Sequence, residues 1–285
     1  MILIFKMEKE LENIIQRLSV PGLRNAKGSQ WDSAMNLMES LIMETGNIPN
    51  IQAWKDENKR SYKNYSILYK GNRSKRIVIG AHYDTYENTP GADDNASSVA
   101  VLLCLAKSLK NYSVLPFDTE LVFYACEEPP FFGTRSMGSF VHAQDLNIHN
   151  TQLMIALEMV GYFSDEPKSQ NYPYSFFQYI YGNKGNYLML VSNLQSAKQL
   201  FKINKILKKS SLNYKKFISP LKTWGMDWSD HRNYWNKNIP AIMITDTSLF
   251  RNPHYHQLTD TPETLDYVKM KNLVVDLLKI ITQIG

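Results

Sequence analysis

A small set of acids and histidines carries the chemistry legible in this chain. His82 and Asp84 sit two residues apart in Gly80-Ala81-His82-Tyr83-Asp84-Thr85. Asp93 and Asp94 stand side by side in Gly91-Ala92-Asp93-Asp94-Asn95. Glu127 and Glu128 are adjacent, Glu158 is isolated, and His254-Tyr255-His256 precedes Asp260-Thr261-Pro262. Two residues apart on a strand end, His82 and Asp84 point the same way. Asp84 can then accept the spare imidazole N–H and orient the ring for a metal, or the pair is a histidine bonded to a local carboxylate with no metal. Asp93 and Asp94 precede a helix. One acid suffices to cap it, so the second points to another task. Adjacent side chains diverge, so one of Glu127 and Glu128 can hold a metal while the other faces a water. His82, Asp94, Glu128, Glu158 and His256 together offer imidazoles and carboxylates and no thiolate. If one carboxylate bridges two cations, each cation keeps one histidine and one unshared carboxylate. That donor set suits Zn²⁺, with Co²⁺ or Mn²⁺ as alternatives. Two such ions about 3.5–4 Å apart activate water and polarise a carbonyl.

The elements that must position these groups follow from hydrophobic patterning. Residues 77–79, 121–126, 153–157, 188–191 and 241–244 are short runs apolar on both faces, as strands of a covered sheet are. Helical periodicity falls between and around them, at 8–19, 31–44, 96–110, 133–146, 196–209 and 262–281. The last helix has Asp260 as a carboxylate cap, with Pro262 and Glu263 in its first turn. Alternation of strand and helix predicts an α/β sandwich with a mostly parallel central sheet. His82, Glu127, Glu158 and Asp246 each follow an apolar strand, at the edge where open α/β sheets bind ligands. Residues 162–186, rich in Tyr, Pro, Asn and Gln, read as a long surface loop, a length that usually has a task.

Composition bounds the rest. The chain has 285 residues, 44% hydrophobic, with a net charge of +5; this excludes general disorder, and no apolar run reaches the ~18 residues of a membrane span. No signal peptide is recognised, so a cytoplasmic location is expected. Cys104 and Cys126 lie in apolar runs and read as buried thiols. Lys198, Lys202, Lys205, Lys208, Lys209, Lys215, Lys216 and Lys222 form a basic stretch. The first five read as the solvated face of an amphipathic helix, and no nucleic-acid module accompanies them. No linker is seen: residues 1–285 are expected to be one domain, with a helical segment over about 1–60 packed on it.

The ordered set of motifs resembles peptidase family M28, co-catalytic zinc metallopeptidases that are mostly aminopeptidases. The resemblance is carried by 80–85, 91–98, Ala125-Cys126-Glu127-Glu128, Ala156-Leu157-Glu158-Met159-Val160-Gly161, Ser229-Asp230-His231 and Tyr255-His256 through Asp260-Thr261. It implies a three-layer α/β/α sandwich around a mixed sheet. It implies one zinc on His82, Asp94 and Glu158 and another on Glu128, Asp94 and His256, with Asp94 as bridge. Glu127 would be general base and acid, and Asp84 would orient His82. It also implies a cis Asp94–Asn95 peptide and a peptide substrate hydrolysed from its free amino end. Many members have Asp where this chain has Glu158, and some carry a tyrosine just ahead of Ser-Asp-His, where Met226-Asp227-Trp228 stand here. Two relatives of the same fold are the rival readings: a single-zinc glutaminyl-cyclase-like acyltransferase and an inactive binding module. Phe131, Phe132, Arg135, Asp230, His231 and Arg251 are further candidates for substrate contact or support.

Overall fold

A computed structural model of the chain describes residues 2–219 and 225–285, with side chains from residue 6 onward. Lys222 of the basic stretch lies outside the described residues. In chain order the elements are α1 (Ile2–Leu18), α2 (Trp31–Glu44), β1 (Asn50–Lys55), β2 (Ser61–Tyr69), β3 (Gly71–His82), α3 (Ser98–Leu109), β4 (Leu115–Tyr124), α4 (Gly138–Gln144) and β5 (Thr151–Glu158). Then follow α5 (Phe177–Tyr181), β6 (Leu188–Asn193), α6 (Ala197–Leu207), β7 (Tyr214–Ser219), α7 (His231–Asn236), β8 (Ala241–Thr245) and α8 (Tyr267–Gln283). No helix among the described residues is long and apolar enough to cross a membrane.

The strands form one mixed sheet in the order β1-β2-β4-β3-β5-β8-β6-β7. Its centre, β4-β3-β5-β8, is parallel throughout. β1, β2 and β6 pair antiparallel with their inner neighbours, and β7 runs parallel to β6. Alternation assigns the two faces. Ile77 and Ile79, Leu153, Ile155 and Leu157, and Ile242 and Ile244 point into the larger core, covered by α1, α3, α6 and α8. Val78, Met154, Ala156, Ala241 and Met243 point into a second core with Ala143 of α4 and Tyr234 of α7. This is the expected three-layer sandwich.

Several boundaries differ from the sequence reading, each for a local reason. β2 carries no strand signal over most of its length, because Ser61, Lys63, Asn64 and Ser66 separate its tyrosines and the apolar residues gather only at its end, Ile67–Tyr69. β1 and β7 likewise carry no apolar run that marks a strand, and Asn50–Lys55 interrupts what reads as a helical segment over 1–60. Lys215 and Lys216 belong to edge strand β7, and the basic helix ends at Leu207. Residues 133–137 form turns, so the helix expected from 133 begins at Gly138. The last helix starts at Tyr267, after a short 3₁₀ turn at Pro262–Thr264. Asp266, not Asp260, caps it, accepting the Lys269 backbone N–H at 2.9 Å. Cys104 and Cys126 are free and buried. Residues 162–186 are loop apart from the short α5.

Gly80 shows how tightly the sheet centre is filled. A Cβ there would meet Tyr124 Cε2 at 2.2 Å and its hydroxyl at 2.6 Å. Tyr124 is fully buried and its hydroxyl bonds that of Tyr234 at 2.5 Å, so the ring has no room to yield. Gly80→Ala is expected to lower the unfolding free energy by ~1–3 kcal/mol, the usual cost of overpacking, as read by urea denaturation. A loss within the ~0.5 kcal/mol typical of surface changes would contradict this account.

Candidate metal centre

The parallel block places four strand ends in one row. His82 is paired with Tyr124 in register, and Glu158 with Thr245. The chain leaves β4 and β5 at sharp turns, and a third lies at His256. Cys126, Met159 and His256 have positive φ values of 61°, 46° and 57°, a region that non-glycine residues occupy only when the surroundings impose it. These turns swing Glu127 and Glu128 off β4 and the chain beyond Glu158 off β5, so the acids face one another above the sheet edge.

Two clusters result, each with its ligand-type atoms within 4.8 Å of one another: His82, Asp94 and Glu158, and Asp94, Glu128 and His256. His82 Nε2 lies 3.5 Å from Asp94 Oδ1 and 3.5 Å from Glu158 Oε2. His256 Nε2 lies 3.3 Å from Asp94 Oδ2 and 3.3 Å from Glu128 Oε2. Asp94 thus presents one oxygen to each histidine. Glu127 Oε2 is 3.9 Å from His82 Nε2. His82, Asp84, Asp94, Glu127, Glu128 and Glu158 are all buried.

The supports explain why this arrangement holds. Asp84 accepts the backbone N–H groups of Glu127 and Glu128, both at 3.0 Å, so it ties the end of β3 to the exit of β4. Its Oδ1 lies 3.5 Å from His82 Nδ1, behind the ring but beyond a normal hydrogen bond. Asn95 donates to Leu157 O at 3.0 Å and accepts from Met159 N at 3.0 Å, which ties the Asp94 turn to the end of β5. The Asp94–Asn95 peptide is cis, as the resemblance implied. Ser229 donates to Glu158 Oε2 at 2.6 Å. Asp93, the other acid of the pair, turns away. It accepts from Gly161 N at 2.8 Å and Asn252 Nδ2 at 2.7 Å. Asp260, freed from its expected cap, accepts the N–H groups of Asp93 and Asp94 at 2.9 and 3.1 Å. Tyr86 and Tyr255 both stack on the His256 ring, at 4.0 and 3.8 Å between centroids.

These residues fit divalent cations. Neither ring nitrogen of buried His82 has a hydrogen-bond partner, and Glu128 Oε1 has none either. Such groups are costly to bury unless something else binds them. Burial pushes the Glu127 carboxyl well above the usual carboxylate range, with Glu158, Glu128 and Asp230 reinforcing the shift and His82 opposing it. Burial, with Asp94 beside it, raises Glu128 to about 7. An oxygen-and-imidazole donor set is what zinc, cobalt and manganese accept.

The other sequence candidates are dispersed. His254 bonds Thr259 Oγ1 at 2.9 Å and stands outside both clusters. Arg135 is exposed. Phe131 packs edge-on to Tyr62 at 5.3 Å. Asp230 is buried near the clusters with neither oxygen partnered, and burial raises it to about 7. Arg251 is buried elsewhere and holds the long loop: it donates to Gln170 Oε1 at 2.8 Å and Tyr187 O at 2.7 Å. Phe132 lines a cavity of about 460 Å³ that opens onto both clusters. The cavity continues between the loop and the outer strands. Its floor is a cross-strand row, Met243, Val191 and Phe217, paired in register. Among the described residues, the only charged groups lining it are Asp94, Glu127, Glu128, Glu158 and His256. Tyr255 also lines it; burial and these acids push its phenol up. In the sequence Tyr255 stands out only as a member of the Tyr255-His256 motif, because a lone tyrosine signals no chemistry of its own.

The sequence profile of peptidase family M28 matches residues 64–279, and the chain belongs to that family. The uncharacterised protein YfbL of Escherichia coli is 45% identical over 227 residues, which cover 75% of this chain and 68% of YfbL. A probable leucine aminopeptidase 2 of Aspergillus oryzae is 27% identical over 123 residues, 42% of this chain but only 24% of that protein. Among solved structures, LapB of Legionella pneumophila superposes with a TM-score of 0.75 at 22% identity, over 98% of this chain and 72% of LapB. A glutaminyl cyclase of Bacteroides thetaiotaomicron bound to N-acetylhistamine gives 0.72 at 17% identity, over 97% of both chains. At these identities the structures establish the shared fold.

His231 provides a pH test of the supporting layer. It is fully buried, bonded through Nε2 to Met226 O at 2.8 Å and set edge-on to Trp235 at 4.4 Å. Burial depresses its pKa from the ordinary 6.5 to about 4, so the folded chain holds the neutral ring. Its contribution is complete above pH 6.5 and fades as pH falls towards 4, by ~3 kcal/mol in all. The fall in stability between pH 6.5 and 4 should be correspondingly shallower in His231→Gln, compared by denaturant titration at each pH.

Proposed function

We propose that this chain is a metal-dependent aminopeptidase that removes the first residue of peptides, and that residues 1–285 act as one catalytic unit. The observation that carries this reading is the pair of three-residue clusters sharing Asp94. His82, Asp94 and Glu158 would hold one zinc ion and Glu128, Asp94 and His256 the other, with cobalt or manganese as substitutes. Bound there, the ions would supply Lewis acidity for the peptide carbonyl and for the attacking water. Membership of a peptidase family and the leucine aminopeptidase named among its relatives support the peptide substrate.

The chain's own groups then divide the work. Glu127 takes a proton from the attacking water and returns it to the departing amine, as a general base and acid does; its burial and its acidic neighbours suit a carboxyl that must both accept and release. Asp84 holds Glu127 and Glu128 through their backbone amides and backs the His82 ring. Ser229 orients Glu158, whose side chain is one methylene longer than the Asp of many relatives. Tyr255, kept protonated by its surroundings, faces the cavity as a donor for the oxyanion. It would take the place of the tyrosine absent ahead of Ser229. A single-ion cyclase needs only one cluster and an inactive binding module needs neither Glu127 nor both; the retention of all these groups favours the peptidase.

Elemental analysis of the purified chain should find two divalent ions. Glu127→Gln should keep them while kcat on an aminoacyl nitroanilide falls by about 10²–10⁴-fold. Near-native turnover in that variant would remove Glu127 from the mechanism, and equal cleavage of N-acetylated and free substrates would remove the exopeptidase assignment.

The apolar floor selects the first side chain. With aromatic and thioether groups on its walls it should take bulky uncharged residues, since such contacts add to the burial of area alone. Val191→Phe fills the middle of the floor. It is expected to lower kcat/KM at least tenfold for phenylalanyl and leucyl substrates while leaving the alanyl substrate within about threefold, since one or two buried methylenes are worth ~1–3 kcal/mol.

A further inference from the structure

The proposed ligands lie between residues 82 and 256, and the family profile begins at residue 64. A buried cation from ahead of both reaches the same place. Arg24 lies in the connection between α1 and α2, and only 1% of it is exposed. Its guanidinium donates from Nε to Leu18 O at 2.9 Å and from Nη1 to Tyr83 O at 3.1 Å. Nη2 donates to Pro90 O at 2.9 Å and Gly91 O at 2.5 Å. Its own carbonyl accepts the Thr85 N–H at 3.0 Å. Tyr83 separates His82 from Asp84, and Pro90-Gly91 leads into the turn that ends at Asp94. One side chain therefore spans the two segments whose spacing sets the distance from His82 to Asp94.

The other side of that turn is held by an anion. Asp260 accepts the N–H groups of Asp93 and Asp94, and its carbonyl accepts that of Ala92 at 3.2 Å. Carbonyls 90 and 91 face a cation and amides 93 and 94 face a carboxylate, an orientation that suits both peptide dipoles. The turn closes around the guanidinium: Gly91 has φ +60°, and a Cβ there would lie 2.8 Å from Arg24 Nη2 and 2.4 Å from Asp94 O. Among the described residues Arg24 has no ion-pair partner within contact; its charge acts at longer range on Asp260, Asp94, Asp84 and Glu128. A rigid fork of donors can serve carbonyls in three directions at once. A lysine, with one nitrogen on a flexible stem, cannot. Trp31, stacked on Tyr83 at 5.2 Å, presses the same segment against the strand end.

We propose that Arg24 is a positioning residue of the metal centre, fixing the His82–Asp84 strand end against the Asp94 turn, so that the segment preceding the family profile is a working part of the site. This inference rests on the two-ion reading above. The test is Co²⁺ binding to the full chain after chelator treatment, read as affinity in competition with a chromophoric chelator and as the visible d–d absorption. Thermal unfolding of the same samples reports the fold. Arg24→Met is expected to bind Co²⁺ at least tenfold more weakly, with a changed band. Arg24→Lys should remain at least threefold weaker than the native chain. Met38→Ala, a buried α2 residue of the same segment, should unfold at lower temperature yet keep native affinity and band. Native affinity and band in Arg24→Met would overturn the inference; if that variant does not fold, the same result in Arg24→Lys does so. If the unaltered chain itself binds no Co²⁺, the two-ion reading fails first, whereas tight native binding indifferent to Arg24 defeats this inference alone.

Discussion

Asp84, Asp94, Glu127, Glu128 and Glu158 are crowded, almost without exposure, at one edge of the sheet. Desolvated like charges at such distances repel strongly, and several neighbouring groups supply positive potential against them. Backbone amides do part of it, through the N–H groups that Asp84 and Asp260 accept. The imidazoles of His82 and His256 stand between pairs of carboxylates. Arg24 contributes a permanent charge from beneath. Buried atoms that still lack partners, on His82 and Glu128, mark where divalent ions would complete the balance.

Only a parallel block of strands could assemble this cluster from such distant parts of the chain. In β4-β3-β5-β8 all C-terminal ends fall on one edge, and connections leaving that edge begin in the same place. The turns are held in left-handed conformations at Cys126 and Met159. They can be, because neighbouring segments hold them: Asn95 accepts the Met159 N–H, and Asp84 accepts the two amides that follow Cys126. Antiparallel β6 and parallel β7 extend the sheet past the cluster. The long loop, clamped by Arg251 on Gln170 and Tyr187, covers that extension without filling it. The cavity exists because a loop with a short helix packs there, whereas α4 and α7 close the same face further in.

The α/β class, strands β3, β4, β5, β6 and β8, most helices and the residues of both clusters were legible in the sequence. Those strands are apolar on both faces, and His82, Glu127, Glu128 and Glu158 stand at the end of one or just after it. Less regular pieces were not. Tyr62, Asn64 and Ser66 of β2 are buried beside polar residues that mask the strand pattern. Asp260 read as a helix cap because acid, threonine and proline usually make one. Its partners turn out to be amides 166 and 167 residues away in the chain.

What the sequence determined by itself was which side chains could bind a cation and at which strand ends they stand, since side-chain chemistry and hydrophobic period are local properties. Which acid of the pair lies between the two histidines, which one faces away, and which arginine and tyrosine stand beside them were decided only by the tertiary fold. Those answers depend on distances between segments far apart in the chain. Asp93 and Asp94 are chemically identical neighbours, and only the direction in which the turn folds sends one to Gly161 and Asn252 and the other between the two histidines.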